Sequence, residues 1–312
     1  MKKLLAILCA AALALSLAAC GADSTTGTAD AAYTRYTIDG ATALTFSDKG
    51  ITATDGGDTA YEIDGTALTI TGAGTYVVSG SCADGSIQVK KGVTGVILVL
   101  NGLSLTSADT APITCAKSSG VVIAVADGSS NSLADTAMNN DETSPGNDKA
   151  ENAVIKCKDG SQVTICGSGT LTVTANGKNG IKSGAATTEE GDASLTIREV
   201  SLTIDAPVND AINAEALLNV ESGTLTISAG DDAIHSDLAL NIGADDTDGP
   251  AIAITSCYEG LEAAALAIRS GNITIQSSDD CLNAANSDLG RYDFTLTISG
   301  GTITAYSSGG DG

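Results

Sequence analysis

A short unit recurs through the second half of this chain, and it restricts the possible folds more than any other feature of the sequence. One half of the unit is Gly-x-aliphatic-Thr-aliphatic. It occurs as Gly169-Thr170-Leu171-Thr172-Val173, Gly223-Thr224-Leu225-Thr226-Ile227, Gly271-Asn272-Ile273-Thr274-Ile275 and Gly301-Thr302-Ile303-Thr304, and in weaker form as Ser201-Leu202-Thr203-Ile204. The other half runs acidic, small, aliphatic, polar. Its copies are Asn209-Asp210-Ala211-Ile212-Asn213, Asp231-Asp232-Ala233-Ile234-His235 and Asp279-Asp280-Cys281-Leu282-Asn283. Lys178-Asn179-Gly180-Ile181-Lys182 and Tyr258-Glu259-Gly260-Leu261-Glu262 are degenerate copies. From Ile181 the aliphatic position recurs after 31, 22, 27 and 21 residues, at Ile212, Ile234, Leu261 and Leu282. Polar inserts at 187–192 and 244–249 account for the longer steps, and without them the period is about 21–22 residues.

A strand averages about 5–6 residues, so one period holds two or three strands and their turns. No segment carries a helical period. The expected fold is all-β, a parallel β-helix (solenoid) with about 21–22 residues per turn, its turns stacked about 4.8 Å apart. In Leu225-Thr226-Ile227 the aliphatics point inward and Thr226 outward. The composition fits a thin, regular core: 36 Gly and 7 Tyr, but no Trp and only 2 Phe. Gly, Asn and Asp sit where corners need unusual backbone. Residues 37–80 are expected to be capping strands over one end, and residues 135–148 a polar loop bulging from a turn. The 312 residues could hold two domains, but the repeat argues for a single β-helix domain over 37–312. The final Ser308-Gly309-Gly310-Asp311-Gly312 resembles the start of another acidic corner, and further turns are expected after it.

The first residues read as targeting. Met1-Lys2-Lys3 is basic, residues 4–14 are apolar, and Leu17-Ala18-Ala19-Cys20 fits a lipobox. The expectation is a lipoprotein signal peptide over 1–19, lipidation of Cys20, and a flexible tether over 20–36. An ordinary signal peptide with a chance cysteine is the alternative. The lipobox reading places the chain outside the cell, lipid-anchored to the outer face of the membrane.

Charge narrows the partners. Fifteen Lys+Arg stand against 38 Asp+Glu, a net charge of -23. Nucleic acid is disfavoured for want of basic patches, and membrane contact is expected only through the N-terminal lipid. A dense acidic surface points to cations, Ca²⁺ first. Cys82, Cys115, Cys157, Cys166, Cys257 and Cys281 form no C-x-x-C pair, and His235 is the sole histidine, so zinc-site spacing is absent. Export permits disulfides; buried free thiols are the equal alternative.

Stacking consecutive turns places Asp210, Asp231 and Asp232, Glu259, and Asp279 and Asp280 in one column, with Asp311 opening the next corner. Unpaired carboxylates about 5 Å apart repel by roughly 1–4 kcal/mol. A hard cation between turns removes that penalty, and Asn209, Asn213 and Asn283 can add carbonyl ligands. The competing reading is corner hydrogen bonding by Asp and Asn alone. Asn213, His235, Asn283 and Tyr258 are the candidate sugar contacts. Few tyrosines offer stacking platforms (Tyr61, Tyr258, Tyr292, Tyr306), which favours acidic glycans over cellulose.

Residues 70–80 (ITGAGTYVVSG), Leu98-Val99-Leu100-Asn101-Gly102 with Ala111-Pro112-Ile113, and the recurring Ser-Gly-Thr-Leu-Thr-Ile and Gly-Asp-Asp-Ala-Ile-His-Ser units resemble the bacterial carbohydrate-binding β-helix lipoproteins. The resemblance covers about residues 60–312. It implies a right-handed parallel β-helix that binds Ca²⁺ and cell-wall polysaccharide, especially acidic pectin-type sugars. The Glu259-Gly260 corner departs from the pattern. An enzyme is the main alternative, because Ser278-Asp279-Asp280-Cys281-Leu282 resembles a segment of polygalacturonase-type hydrolases. That family's Gly-His-Gly and Arg-Ile-Lys elements are absent. A lyase needs a base beside Ca²⁺, and Arg269, Arg291 and Lys182 are undistinguished from solvated charges. The expectation is a monomeric polysaccharide-binding module that is not an enzyme. The outward Thr ladder keeps an adhesin or scaffold as a third class.

Overall fold

Alternation along each strand decides which way its side chains face. In Thr224–Ala229, Leu225, Ile227 and Ala229 are buried while Thr224 and Thr226 are exposed. Asn272–Ser277 repeats that pattern with Ile273 and Ile275 inside. Aliphatics at every second position build a continuous inner stripe, and each turn covers the stripe of the turn before it.

The computed structural model describes residues 38, 40–54, 60–189, 191–286, 289 and 292–309. It contains 26 strands and, among the described residues, no helix. Apart from two N-terminal hairpins the pairing is parallel throughout, and it divides into three sheets around one core. Sheet I runs through Gly120–Val125, Gln162–Cys166, Ser194–Arg198 and Leu217–Val220. Sheet II runs through Ser130–Asp135, Thr170–Thr174, Ser201–Ala206, Thr224–Ala229, Ala251–Ser256, Asn272–Ser277 and Thr302–Ser307. Sheet III runs through Ser86–Val89, Ile113–Cys115, Ala153–Cys157, Asn179–Ser183 and Ile212–Ala214, then through the first residues of Ile234–Ile242 and Leu261–Ile268, to Leu282–Asn283. One turn of the solenoid crosses all three sheets, so the repeat holds three strands.

Register follows the sequence repeat. Ile181 pairs with Ile212, Ile212 with Ile234, Ile234 with Leu261, and Leu261 with Leu282. The inserts at 187–192 and 244–249 lie between strands, outside the ladders. So does the larger insert at 136–152, which buried amides pin in place. Asn139 Nδ2 donates to the Asp135 carboxylate at 2.8 Å and to the Ala153 carbonyl at 2.9 Å, and Asn140 Nδ2 donates to the Gly177 carbonyl at 2.9 Å.

The N-terminal cap is smaller than the expected 37–80. Ala67–Ile70 and Gly74–Cys82 already pair in parallel with Ser86–Val89 and Val96–Ser107. Capping is left to the antiparallel hairpins Thr42–Ser47 with Gly50–Thr54 and Tyr61–Asp64 with Ala67–Ile70. The strand Thr42–Ser47 also pairs in parallel with Gly74–Cys82, so the cap grows out of the first turn. The core's two largest side chains, Tyr76 and Phe46, sit at this end. Burying the Tyr76 hydroxyl is tolerated because the Ala60 and Gly72 carbonyls lie 2.9 Å from it and the Ala60 N–H donates to it at 3.1 Å. All six cysteines of the described residues are free and buried. Cys115 and Cys157 fill aliphatic positions in the sheet III ladder: they pair with each other, as Ile113 pairs with Ile155.

Candidate functional site

Sheet III begins at the corner that the acidic half of the repeat forms. Corner residues of successive turns are joined by backbone bonds. The Ala211 N–H donates to the Asp232 carbonyl, the Ala233 N–H to the Glu259 carbonyl, and the Gly260 N–H to the Asp280 carbonyl. Asp210, Asp232, Glu259 and Asp280 therefore stack as one column, as the spacing predicts. Two residues on, the aliphatic turns inward. The residue after it faces out and pairs with its equivalents, giving the outward column Lys156, Lys182, Asn213, His235, Glu262 and Asn283. The two columns stand side by side, and their side chains meet.

Asp210 is buried and sits beneath the next turn. It accepts from Asn213 Nδ2 at 2.5 Å and from the Asp232 N–H at 3.2 Å, and burial pushes its carboxyl pKa up despite those bonds. His235 lies between three carboxylates. Its Nδ1 is 3.0 Å from Asp232 Oδ2 and 3.3 Å from Glu262 Oε2, and its Nε2 is 2.9 Å from Asp237 Oδ1. Burial opposes the imidazolium, but bonds to Asp232, Asp237 and Glu262 outweigh it and push the pKa up to about 12. Both ring nitrogens thus donate. Burial, reinforced by the charges of Asp210 and Glu262, raises Asp232 to about 6 against the opposing bond from His235. Burial raises Glu259 to about 7, with the Glu262 charge adding to it and an Asn283 Nδ2 bond at 2.8 Å opposing. Glu262 is itself held below the usual carboxyl range: burial works against this, and the His235 bond prevails.

Two groups of side chains bring three ligand-type atoms close together, but only the all-carboxylate group has free lone pairs for an ion, since the His235 imidazolium has none. The ligand atoms of Asp210, Asp231 and Asp232 lie within 4.8 Å of one another, and so do those of Asp232, His235 and Glu262. Two oxygens on one Ca²⁺ at about 2.3–2.6 Å can be no more than about 5 Å apart, so the all-carboxylate group has a Ca²⁺-compatible span. Asp232 belongs to both groups.

The remaining expected ligands are distributed differently. Glu259 stands in the column but bonds to Asn283 and Glu262. Asp279 takes a bond from the Tyr258 hydroxyl, and neither it nor Asp280 enters a three-donor group among the described residues. Asp311 lies outside the described residues, as do Cys20, the expected signal and tether, and Arg291. Of the expected sugar contacts, Asn213, His235 and Asn283 are tied into the carboxylate network, and Tyr258 is half exposed beside it. Glu262 and Asp237 join the site although the sequence reading named neither as a ligand. Glu262 was detectable, because it fills the polar slot that holds Asn213, His235 and Asn283 in neighbouring copies. Asp237 had no signal: it lies outside the repeat unit and reaches His235 only because the strand continues past the corner.

A family model described as "Carbohydrate-binding domain-containing protein" matches residues 64–241, more than half of the chain and the part that holds Asp210, Asp231, Asp232 and His235. A protein of that same description from Acetivibrio thermocellus is 40% identical over 113 residues. That stretch is 36% of this chain and 38% of the relative, so the match spans well under half of the relative's length. A solved structure titled as the polysaccharide lyase-like protein from C. thermocellum, gadolinium derivative, superposes with a TM-score of 0.56 at 23% identity, covering 87% of this chain and 93% of that one. At that identity the likeness establishes the fold.

Proposed function

Since the chain belongs to the carbohydrate-binding domain-containing protein family, we propose that it is a binding module for an acidic, pectin-type polysaccharide, held at the corner of sheet III through Ca²⁺. The observation that carries this reading is the convergence of Asp210, Asp231 and Asp232 from successive turns within a distance one cation can span. Asp232 and Glu259 are driven toward protonation in the metal-free protein. A divalent ion satisfies the same crowding without a proton, and its open coordination positions can take a uronate carboxylate. That resolves how a chain of net charge -23 can hold an anionic polymer. Half-exposed Tyr258 beside the column offers a ring face to a sugar.

The likeness to a polysaccharide lyase-like protein makes cleavage the rival outcome. Binding is favoured because the matching family is described by carbohydrate binding, and the sole histidine, bonded to three carboxylates, is not free to abstract a proton. The lipobox at Cys20 supports display of the module on the outer face of the cell membrane. Among the described residues no helix is long and apolar enough to cross a membrane.

The test uses residues 21–312, which contain every described strand, and measures polygalacturonate retention in Ca²⁺ and in chelator. The same tubes are assayed for new reducing ends and unsaturated uronates. Ca²⁺-dependent retention of an intact polymer is expected. Asp210→Asn should weaken Ca²⁺ binding at least tenfold by calorimetry, about 1.4 kcal/mol. Product formation would replace binding with catalysis, and no retention would leave a scaffold or adhesin.

A further inference from the structure

The outward column of sheet III changes sign along the solenoid. Toward the C-terminal turns it carries His235 and Glu262; two turns earlier it carries Lys182 and then Lys156, paired directly across adjacent strands. Ile155 and Cys157 flank Lys156 and point into the core, so its ammonium faces out. It is nevertheless only partly exposed, and among the described residues it has no ion-pair partner. The neighbouring lysines differ: Lys158 pairs with Glu151 at 2.6 Å, Lys178 with Glu142 at 2.6 Å, and Lys182 with Glu215 at 3.3 Å. Glu151 and Glu215 act on Lys156 only through space. Burial, and then the like charge of Lys182, hold its pKa below the usual lysine value. A half-buried, unpaired ammonium on the rung beside a second lysine is an unfavourable arrangement that an anion would relieve.

We propose that Lys156 and Lys182 form a metal-independent carboxylate subsite for an acidic polysaccharide lying along sheet III, one turn before the Asn213 and Asp210 corner. The inference rests on the acidic-polysaccharide reading above and assigns that ligand a direction. Turns are about 4.8 Å apart. Two charge-assisted bonds of about 2.8 Å span about 5 Å, so one carboxylate can bridge both ammonium groups. A polyuronate repeats its carboxylates along the chain. It can therefore place one on the lysine pair and another on the cation at the acidic corner. A neutral or fully methyl-esterified polymer can use neither.

The test compares residues 21–312 with the double variant Lys156→Gln/Lys182→Gln, using polygalacturonate and fully methyl-esterified pectin as probes, in Ca²⁺ and in chelator. Wild type is expected to keep a chelator-resistant, salt-sensitive part of its polygalacturonate affinity. The double variant should lose that part about tenfold and keep its Ca²⁺ affinity. Lys156→Arg/Lys182→Arg preserves charge and should retain binding, which separates a lost contact from a damaged fold. Chelator-resistant binding equal in wild type and Gln variant overturns the subsite, as does its absence from wild type while Ca²⁺-dependent retention persists. Failure of wild type to hold polygalacturonate in either buffer overturns the proposed function itself.

Discussion

At the scale of single residues, the acidic corner is a set of groups held in protonation states that water would not give them. Asp232 keeps its proton to about 6 and Glu259 to about 7, against about 4 in an unfolded chain. The folded state thus holds these protons more tightly. Their contribution to stability is complete below about pH 4 and is lost as pH rises through 6 and 7. His235, raised to about 12, has the same sign: its contribution is complete below about pH 6.5 and fades toward pH 12. Glu262, Asp159 and Asp192 are shifted downward and act in the opposite sense. Comparing melting temperatures with and without Ca²⁺ cancels the groups that metal does not touch. If Ca²⁺ binds at the corner as proposed, it must displace these protons, so its stabilisation should grow from pH 5 to pH 8. A gain independent of pH would place the ion elsewhere.

At the scale of the element, the corner depends on how tightly one turn sits on the next. Gly260 occupies the slot filled by Ala211, Ala233 and Cys281 in neighbouring turns. A Cβ there would stand 2.3 Å from the Cys281 carbonyl oxygen and 2.7 Å from Ile275 Cγ2. The glycine that made the Glu259-Gly260 corner look degenerate is thus a packing requirement of a closer approach. Gly260→Ala should cost about 1–3 kcal/mol in chemical denaturation, the range for overpacking a filled site. Because it moves Glu259 relative to Asp280, it should also disturb the Asn283 bond. A neutral result would show that the corner carbonyl can yield. The thiols teach the same lesson. Sequence spacing left Cys115 and Cys157 open to pairing, whereas the register makes them rungs of a core ladder.

At the scale of the whole molecule, each turn touches only its neighbours, so stability varies along the solenoid. Leu171, Val173, Leu202 and Ile204 are covered from both sides and are essentially inaccessible. Leu296 and Ile298, in the last described strand of sheet I, are exposed, although their partners Leu266 and Ile268 are buried. In a chain of residues 21–312, amides of Thr170–Thr174 should therefore outlast those of Thr295–Ile298 in native-state hydrogen exchange by several orders of magnitude. Uniform protection would mean that Thr295–Ile298 is covered in solution.

The sequence alone determined the solenoid, its register and the order of the acidic corners. Periodic aliphatics and glycines are local signals, and parallel stacking copies them from turn to turn with no need of distant information. That is why the spacing of Ile181, Ile212, Ile234, Leu261 and Leu282 could be read as a ladder. It also identified Asp210, Asp231 and Asp232 as neighbours. Only the tertiary structure decided which side chains turn toward one another across the corner. Glu262 and Asp237 close on His235, Asp279 is drawn to Tyr258, and Lys156 is stranded beside Lys182. Those choices depend on side-chain direction, burial and the residues brought from adjacent turns, and a one-dimensional pattern does not encode them.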